Sequence, residues 1–284
     1  MEAHYYLEYS RMEREHWWFE GRRQILGSVI DRLTGSHRRP RILDLGCGTG
    51  ESSRHLAQFG RVTSIDLSEL ALGFCRHKAL PRLVRGDAVH LPFAEGAFDL
   101  VCGLDILEHL ADEERALAEM MRVCRPGGQV LVTVPALPIL WSRHDIVNHH
   151  QRRYRKGQLR NAVARSGLRP GILTYFNTFL LPPTLLVRLG GRLVSRPAPP
   201  SETHSDLACS TGGIFSGLLR RVFAMERGLV GRVPLPLGVS LLCVATKPGE
   251  TCPVEPAVAA PRRSWADNIL DRFVRPPRPL TDTR

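Results

Sequence analysis

Three glycines stand at alternate positions in Asp44-Leu45-Gly46-Cys47-Gly48-Thr49-Gly50, directly after the apolar run Ile42-Leu43. Glycines spaced this way form a turn that lets the backbone approach a ligand, and a helix N-terminus after it offers free N–H groups. A second acid, Asp66, ends the next apolar run 20 residues after Gly46, where a carboxylate can accept hydrogen bonds from both hydroxyls of a ribose. The Gly-x-Gly-x-Gly spacing differs from the Gly-x-Gly-x-x-Gly of dinucleotide sites, and no Gly-Lys-Ser/Thr follows. Phosphate chemistry is therefore disfavoured.

The surrounding pattern supplies the elements to hold such a turn. Residues 8–33 carry apolar positions at helical spacing, and residues 34–41 read as a stop and linker. Strands are expected at 41–45, 61–65, 83–85, 98–102 and 129–134, with helices at 51–59, 69–78 and 112–124 between them. Pro126-Gly127-Gly128 reads as the stop of the last helix. Alternating strands and helices predict a parallel sheet covered on both faces, a doubly wound α/β fold. The uncharged run from Pro170 to Val187 contains Pro182-Pro183 and reads as an amphiphilic surface or lid element rather than a membrane span. A linker at 195–211, a helix within 217–229 and a strand at 239–246 complete the pattern.

Composition bounds the partners. Of 284 residues 43% are hydrophobic, enough for a sizeable core, and the net charge is +11. Only Lys78, Lys156 and Lys247 are lysines, so arginine carries the excess. Residues 141–170 hold eight basic side chains against Asp145 alone, +7 of the total, which suits an anionic or lipid-linked substrate or an anionic membrane surface. No nucleic-acid reading motif accompanies the patch. Seven cysteines without a Cys-x-x-Cys pair point to a reducing, cytoplasmic setting, and Met1–Glu20 has no apolar signal segment.

Taken together, residues 41–136 resemble the class I S-adenosylmethionine-dependent methyltransferases. The resemblance rests on the turn at 44–50, Ser64-Ile65-Asp66-Leu67-Ser68, Gly86-Asp87-Ala88, Leu91-Pro92-Phe93, Phe98-Asp99-Leu100-Val101, Leu107-Glu108-His109-Leu110 and Arg125-Pro126-Gly127-Gly128. It implies a Rossmann-like seven-stranded sheet with an antiparallel last strand, and S-adenosyl-L-methionine as cofactor. Asp44, Gly46, Cys47, Gly48 and Gly50 would then meet its methionine part, Asp66 and Leu67 the ribose side, and Asp87, Ala88 and Leu104 the adenine side and pocket wall.

The flanks resemble a bacterial subgroup of that family, through Glu13, His16-Trp17-Trp18-Phe19 and Arg22-Arg23, then His144-Asp145, His150 and Arg152-Arg153-Tyr154, and finally Gly238-Val239-Ser240-Leu241-Leu242. The resulting organisation is a helical cap at 1–38, a cofactor-binding core at 39–137, a substrate or lid region with the closing strands at 138–248, and a disordered tail at 249–284. The insertion falls before the last strand.

Methyl transfer to a hydroxyl calls for a base near neutral pH, which directs attention to histidine. The catalytic candidates are His144 with Asp145, then His150. Asp105-x-x-Glu108-His109 is similar to a Glu-x-x-Glu-His motif that binds a divalent cation in some quinone-pathway O-methyltransferases, and on a helix its three side chains would share one face. Leu-Glu-His is also widespread in members with no known metal, so no metal is expected. The expected activity is methyl transfer to a small-molecule or lipid-linked acceptor, most readily at oxygen. The alternatives are a non-catalytic or membrane-docking protein of the same fold, touching the inner face of the membrane through residues 171–195, and a nucleic-acid methyltransferase.

Overall fold

A computed structural model describes residues 3–35, 39–186, 221, 223 and 225–249, which lie within one unit. The linker at 195–211, part of the helix expected at 217–229 and nearly all of the tail lie outside the described residues.

Seven strands form one sheet in the order β3-β2-β1-β4-β5-β7-β6. They are β1 (Arg41–Leu45), β2 (Arg61–Asp66), β3 (Leu83–Arg85), β4 (Phe98–Leu104), β5 (Cys124–Pro135), β6 (Arg169–Phe176) and β7 (Ser240–Thr246). The first five run parallel, and β7 pairs antiparallel with both β5 and β6, with Val132 opposite Cys243 and Leu173 opposite Cys243 on the other side. Near-continuous apolar runs build it. Four of the five β1 residues are buried, as a strand covered on both faces requires.

Helices α3 (Glu51–Leu56), α4 (Glu69–His77), α5 (Glu113–Val123), α6 (Arg143–Val147) and α7 (Lys156–Arg165) follow successive strands or connections. Local chemistry sets their starts. Ser68 caps α4 by accepting from the Ala71 N–H, and Asp112 caps α5 by accepting from the Arg115 N–H. Glu113 and Glu114 in the first turn of α5 and Arg122 in its last turn suit the helix dipole.

The structure revises the sequence reading in four places. The N-terminal helix is two helices, α1 (Ala3–Glu15) and α2 (Trp17–Thr34), because His16 is extended and its ring Nδ1 accepts from the Trp18 N–H, starting a new helix. The α2 face Ile25, Leu26, Val29 and Ile30 packs into the core with Ile42, Leu56, Leu100, Leu131 and Leu242. Next, β5 begins at Cys124 and takes Pro126-Gly127-Gly128 into an irregular strand, Gly127 adopting φ +70°. The third revision concerns the run that starts at Pro170. Its residues 173–176 are the buried part of β6, which accounts for their lack of charge, so that portion of 171–195 is sheet and no lid or membrane-docking element. Finally, Asp105, Glu108 and His109 do not share a helix face. Asp105 has φ +57°, and Leu107–His109 form a single 3₁₀ turn. No helix among the described residues is long and apolar enough to cross a membrane.

Candidate functional site

The glycine turn leaves the carboxyl end of β1 at the point where open α/β sheets receive ligands. Gly46, Gly48 and Gly50 all have positive φ, and the N–H groups of Gly46 and Cys47 both donate to the Ile65 carbonyl, tying the turn to β2. Asp66 reaches back from the end of β2. Its Oδ2 accepts from the Gly48 N–H at 2.9 Å and its Oδ1 from the Ser68 N–H at 2.9 Å, so one carboxylate fixes both loops. Each oxygen keeps a further lone pair for a ligand hydroxyl.

Asp44 lies beneath. Buried at the end of β1, it accepts from the Ser52 and Ser53 hydroxyls at 2.7 and 2.6 Å and so holds the start of α3; its Oδ1 has no hydrogen-bond partner, and burial raises its pKa. The Cys47 side chain is buried against Leu72 and Cys75, its Sγ 3.8 Å from the Cys75 Sγ, so this residue offers the cleft its backbone rather than its thiol. Leu67 is 61% exposed directly after Asp66. Asp87 Oδ1 accepts from the Val89 N–H, shaping the turn that carries the buried Ala88. Leu104 packs, half-buried, against the core at the end of β4.

Sequence reasoning assigned no cofactor-site role to α1, yet α1 reaches the glycine turn. Glu13 accepts from the Thr49 hydroxyl, and Lys78 donates to the Thr49 carbonyl at 2.7 Å while pairing with Glu51 at 2.9 Å. Tyr6 stacks on Phe74 of α4. Enclosure of its carboxyl group pushes Glu13 up to about 7, opposed by the Thr49 bond and Lys78. A cavity of about 30 Å³, large enough for one water, remains among Glu13, Phe19, Arg22, Arg23, Ser52, His55 and Leu104. Only Glu13's place in the aromatic-rich opening motif hinted at this role, since the contact spans 36 residues.

The aromatic trio divides as neighbours on a helix must. Trp17 meets Phe223 edge-on, Phe19 is buried against Tyr9, and Arg22 lies over Trp18 at 5.7 Å. Arg22 pairs with Asp105 at 2.7 Å and donates to the Thr133 hydroxyl at 2.9 Å, so it braces the ends of β4 and β5.

A second group forms after β5. Asp145, wholly buried, sits inside the capping box of α6, where the Ser142 N–H donates to its Oδ2 at 2.8 Å. Its Oδ1 accepts from Arg153 Nε at 2.7 Å and meets His150 Nδ1 at 2.9 Å. Those partners outweigh burial and hold its carboxyl well below the usual range. His150 faces His109 with ring centroids 4.8 Å apart, and burial together with His150 lowers His109 to about 4. Beside them lies Glu108, fully buried, neither carboxylate oxygen meeting a donor from another residue; burial and Asp105 raise its pKa. Of the predicted trio, Asp145 and His150 meet directly, while His144 stands 6.0 Å from His150 and beside Asn148.

Gln151 fastens the two segments, its N–H donating to the Glu108 carbonyl and its amide to the His109 carbonyl. Ile106 connects this group to the cofactor side. A Cβ on Gly46 would stand 2.6 Å from Ile106 Cδ1, so the 3₁₀ turn carrying Glu108 abuts the glycine turn.

The basic stretch is less free than its composition implies. Arg152 pairs with Glu113, Arg153 with Asp145 and Arg165 with Glu114.

The family described as "Methyltransferase domain" matches residues 43–132. That match takes in the glycine turn, Asp66 and the turn of Glu108 and His109. The chain is 40% identical over 128 residues to a malonyl-[acyl-carrier protein] O-methyltransferase of Pectobacterium atrosepticum, covering 42% of this chain and 50% of that protein. It is 37% identical over 126 residues to a demethylmenaquinone methyltransferase of Thermobifida fusca, again covering 42% and 50%. The chain thus spans about half the length of these curated relatives. A Haloferax volcanii methyltransferase solved with the Trm112 methyltransferase activator superposes with a TM-score of 0.57 over 88% of this chain and 96% of that one; at 19% identity the likeness is one of fold.

S-adenosylmethionine is the cofactor of class I methyltransferase domains, and the residues present fit it. A Cβ on Gly48 would meet nothing within 4 Å, which leaves room against the turn. Asp66 retains acceptor capacity for ribose hydroxyls, and exposed Leu67 offers an apolar face beside it.

Proposed function

We propose that the protein is a methyltransferase that moves a methyl group from S-adenosylmethionine to a small-molecule or carrier-linked acceptor, most readily at oxygen. The observation that carries this reading is the junction at Ile106. There the glycine turn with its acid partner Asp66 abuts the 3₁₀ turn of Glu108 and His109, and with it the Asp145–His150 pair. When bound, the cofactor supplies an electrophilic methyl on a sulfonium. The protein's work is then to align, to exclude water and to prepare the acceptor.

Gly46, Gly48 and Gly50 present backbone to the methionine part, with Asp44 fixing α3 beneath them; Asp66 and Leu67 receive the ribose side, and Asp87 and Ala88 the adenine side. Helix α1 closes on the turn through Glu13, and α2 braces the ends of β4 and β5 through Arg22. His150 readies the acceptor oxygen. Asp145 is its positioning residue, accepting from Nδ1–H and leaving Nε2 with the lone pair. The relatives named for malonyl-carrier and demethylmenaquinone substrates support a modest-sized or carrier-borne acceptor.

Calorimetry with S-adenosylmethionine tests this reading. Stoichiometric binding that Asp66→Ala weakens about a hundredfold supports it, and wild type that binds no better than the variant sinks it. Peripheral contact with a membrane is a second reading, favoured by exposed Phe179 and Leu186 just after β6. Co-sedimentation with anionic liposomes, lost in a Phe179→Ser/Leu186→Ser double variant, would establish it.

A further inference from the structure

From the group around Glu108 we infer that Glu108, His109 and His150 form a binding site for a divalent transition cation, zinc being the best match. Their candidate donor atoms all lie within 4.8 Å of one another. Tetrahedral zinc with bonds of about 2.0–2.1 Å sets its ligands about 3.3 Å apart, so side-chain adjustments of little more than an ångström complete the cage.

The carboxylate is the decisive member. Glu108 is wholly buried, both of its oxygens lack a hydrogen-bond partner, and a buried carboxylate in that condition is costly unless a cation or proton answers it. The nearby guanidiniums are already engaged, Arg153 by Asp145 and Arg22 by Asp105.

The outer layer fits as well. A metal-bound histidine commonly donates its other ring N–H to a carboxylate, which fixes ring and tautomer. Asp145 holds His150 Nδ1 at 2.9 Å and is itself pinned by Arg153 and the Ser142 N–H. Gln151 clamps the carbonyls of Glu108 and His109, holding the 3₁₀ turn against the segment that carries His150.

The donor set is two imidazoles and one carboxylate, which suits zinc, manganese or iron better than the oxygen-seeking magnesium. It also differs from the spaced set Asp105, Glu108 and His109. Asp105 points its carboxylate at Arg22 and accepts from Thr133, so His150, 41 residues beyond His109, takes its place.

Three ligands leave a coordination position for water or an acceptor oxygen. This deepens the proposed function and rests on it for its purpose. An acceptor hydroxyl on the cation would lose its proton to solvent more readily, so that His150, its Nε2 lone pair on the cation, would ready the acceptor oxygen through the metal it helps to hold.

Titration of the metal-stripped full chain with Zn²⁺, Mn²⁺ and Mg²⁺ tests the site, with Co²⁺ absorption as a second readout. One Zn²⁺ per chain is expected, at least a hundredfold tighter than Mg²⁺, with the visible bands of four-coordinate Co²⁺. Glu108→Gln should weaken Zn²⁺ at least tenfold and erase those bands. Asp145→Asn should weaken it by about 10–100-fold, and Asp105→Asn should change it less than threefold. Each variant's circular dichroism and thermal midpoint are recorded, so that a folding failure is recognised, and loss of Co²⁺ bands in folded Glu108→Gln decides the matter. Zinc that binds equally to wild type and Glu108→Gln, or that requires Asp105, overturns the site. S-adenosylmethionine binding is measured separately on the same samples, and a chain that binds the cofactor but takes up no Zn²⁺ refutes the cation site and leaves the methyltransferase reading standing.

Discussion

The two halves of the cleft are built on opposite plans. On the cofactor side, chemistry comes from backbone. Gly46, Gly48 and Gly50, all at positive φ, bring bare backbone to the cleft, and Asp66 organises two loops whose residues lie within 18 positions of it. On the acceptor side, chemistry comes from side chains gathered from afar: Glu108 and His109 on one turn, Asp145 on α6, His150 after it, with Arg22 of α2 closing the edge. A backbone site tolerates side-chain change but depends on conformation. A site of buried charges depends on every partner being present.

That contrast can be broken deliberately. Arg153→Ala should have the largest effect. It leaves Asp145 buried with its main countercharge gone, at a cost of about 3–5 kcal/mol, read as a fall in thermal midpoint, while cofactor affinity in the surviving folded fraction stays near wild type. Equal damage to both would show that the halves are not separable. Asp66→Ala is expected to lower cofactor affinity about a hundredfold, from lost charge-assisted hydrogen bonds of about 1.5–3 kcal/mol each, and to leave zinc uptake unaltered.

The α1 contact titrates on its own. Glu13 is raised to about 7, so between about 4.5 and 7 the folded state keeps a proton that the unfolded state has lost. The docking of α1 is therefore strongest at the acid end and weakens as pH rises through that window. The expected change is about 1–2 kcal/mol, discounted for the partly open side chain. Hydrogen exchange along α1 at pH 5 and pH 8 measures it, and Glu13→Gln should flatten the difference. Gly48→Ala sits at the small end. With open space around its Cβ and φ at +52°, it should cost about 1 kcal/mol in stability yet reduce cofactor binding by more than that figure implies, because the methyl enters the cradle. Unchanged binding would place the cofactor away from Gly48.

How much of this was legible beforehand follows the same division. Strands β1 to β4 and helices α4 and α5 could be read because their boundaries depend on neighbours in sequence, such as Ser68 and Asp112 at the caps. The break at His16 was missed because helical periodicity continues across it while its ring caps the next helix. The uncharged stretch after Pro170 looked like a lid because sequence reports polarity but not the pairing of Leu173 with Cys243. Asp105 was expected on one helix face with Glu108 and His109 because i, i+3, i+4 spacing presumes a helix, whereas its φ of +57° turns the chain out of one.

By itself, the sequence determined the local grammar: a glycine turn after a buried strand, an acid at the next strand's end, and helices that start on their caps. Those features are decided over a few residues by sterics and hydrogen bonding, and they carry the α/β fold and the cofactor side with them. Only the tertiary structure decided that Glu13 reaches Thr49, that Arg22 claims Asp105, and that His150 rather than Asp105 joins Glu108 and His109. Such meetings depend on how distant segments pack, and whether a buried charge is satisfied is a property of that packing, which spacing along the chain does not encode.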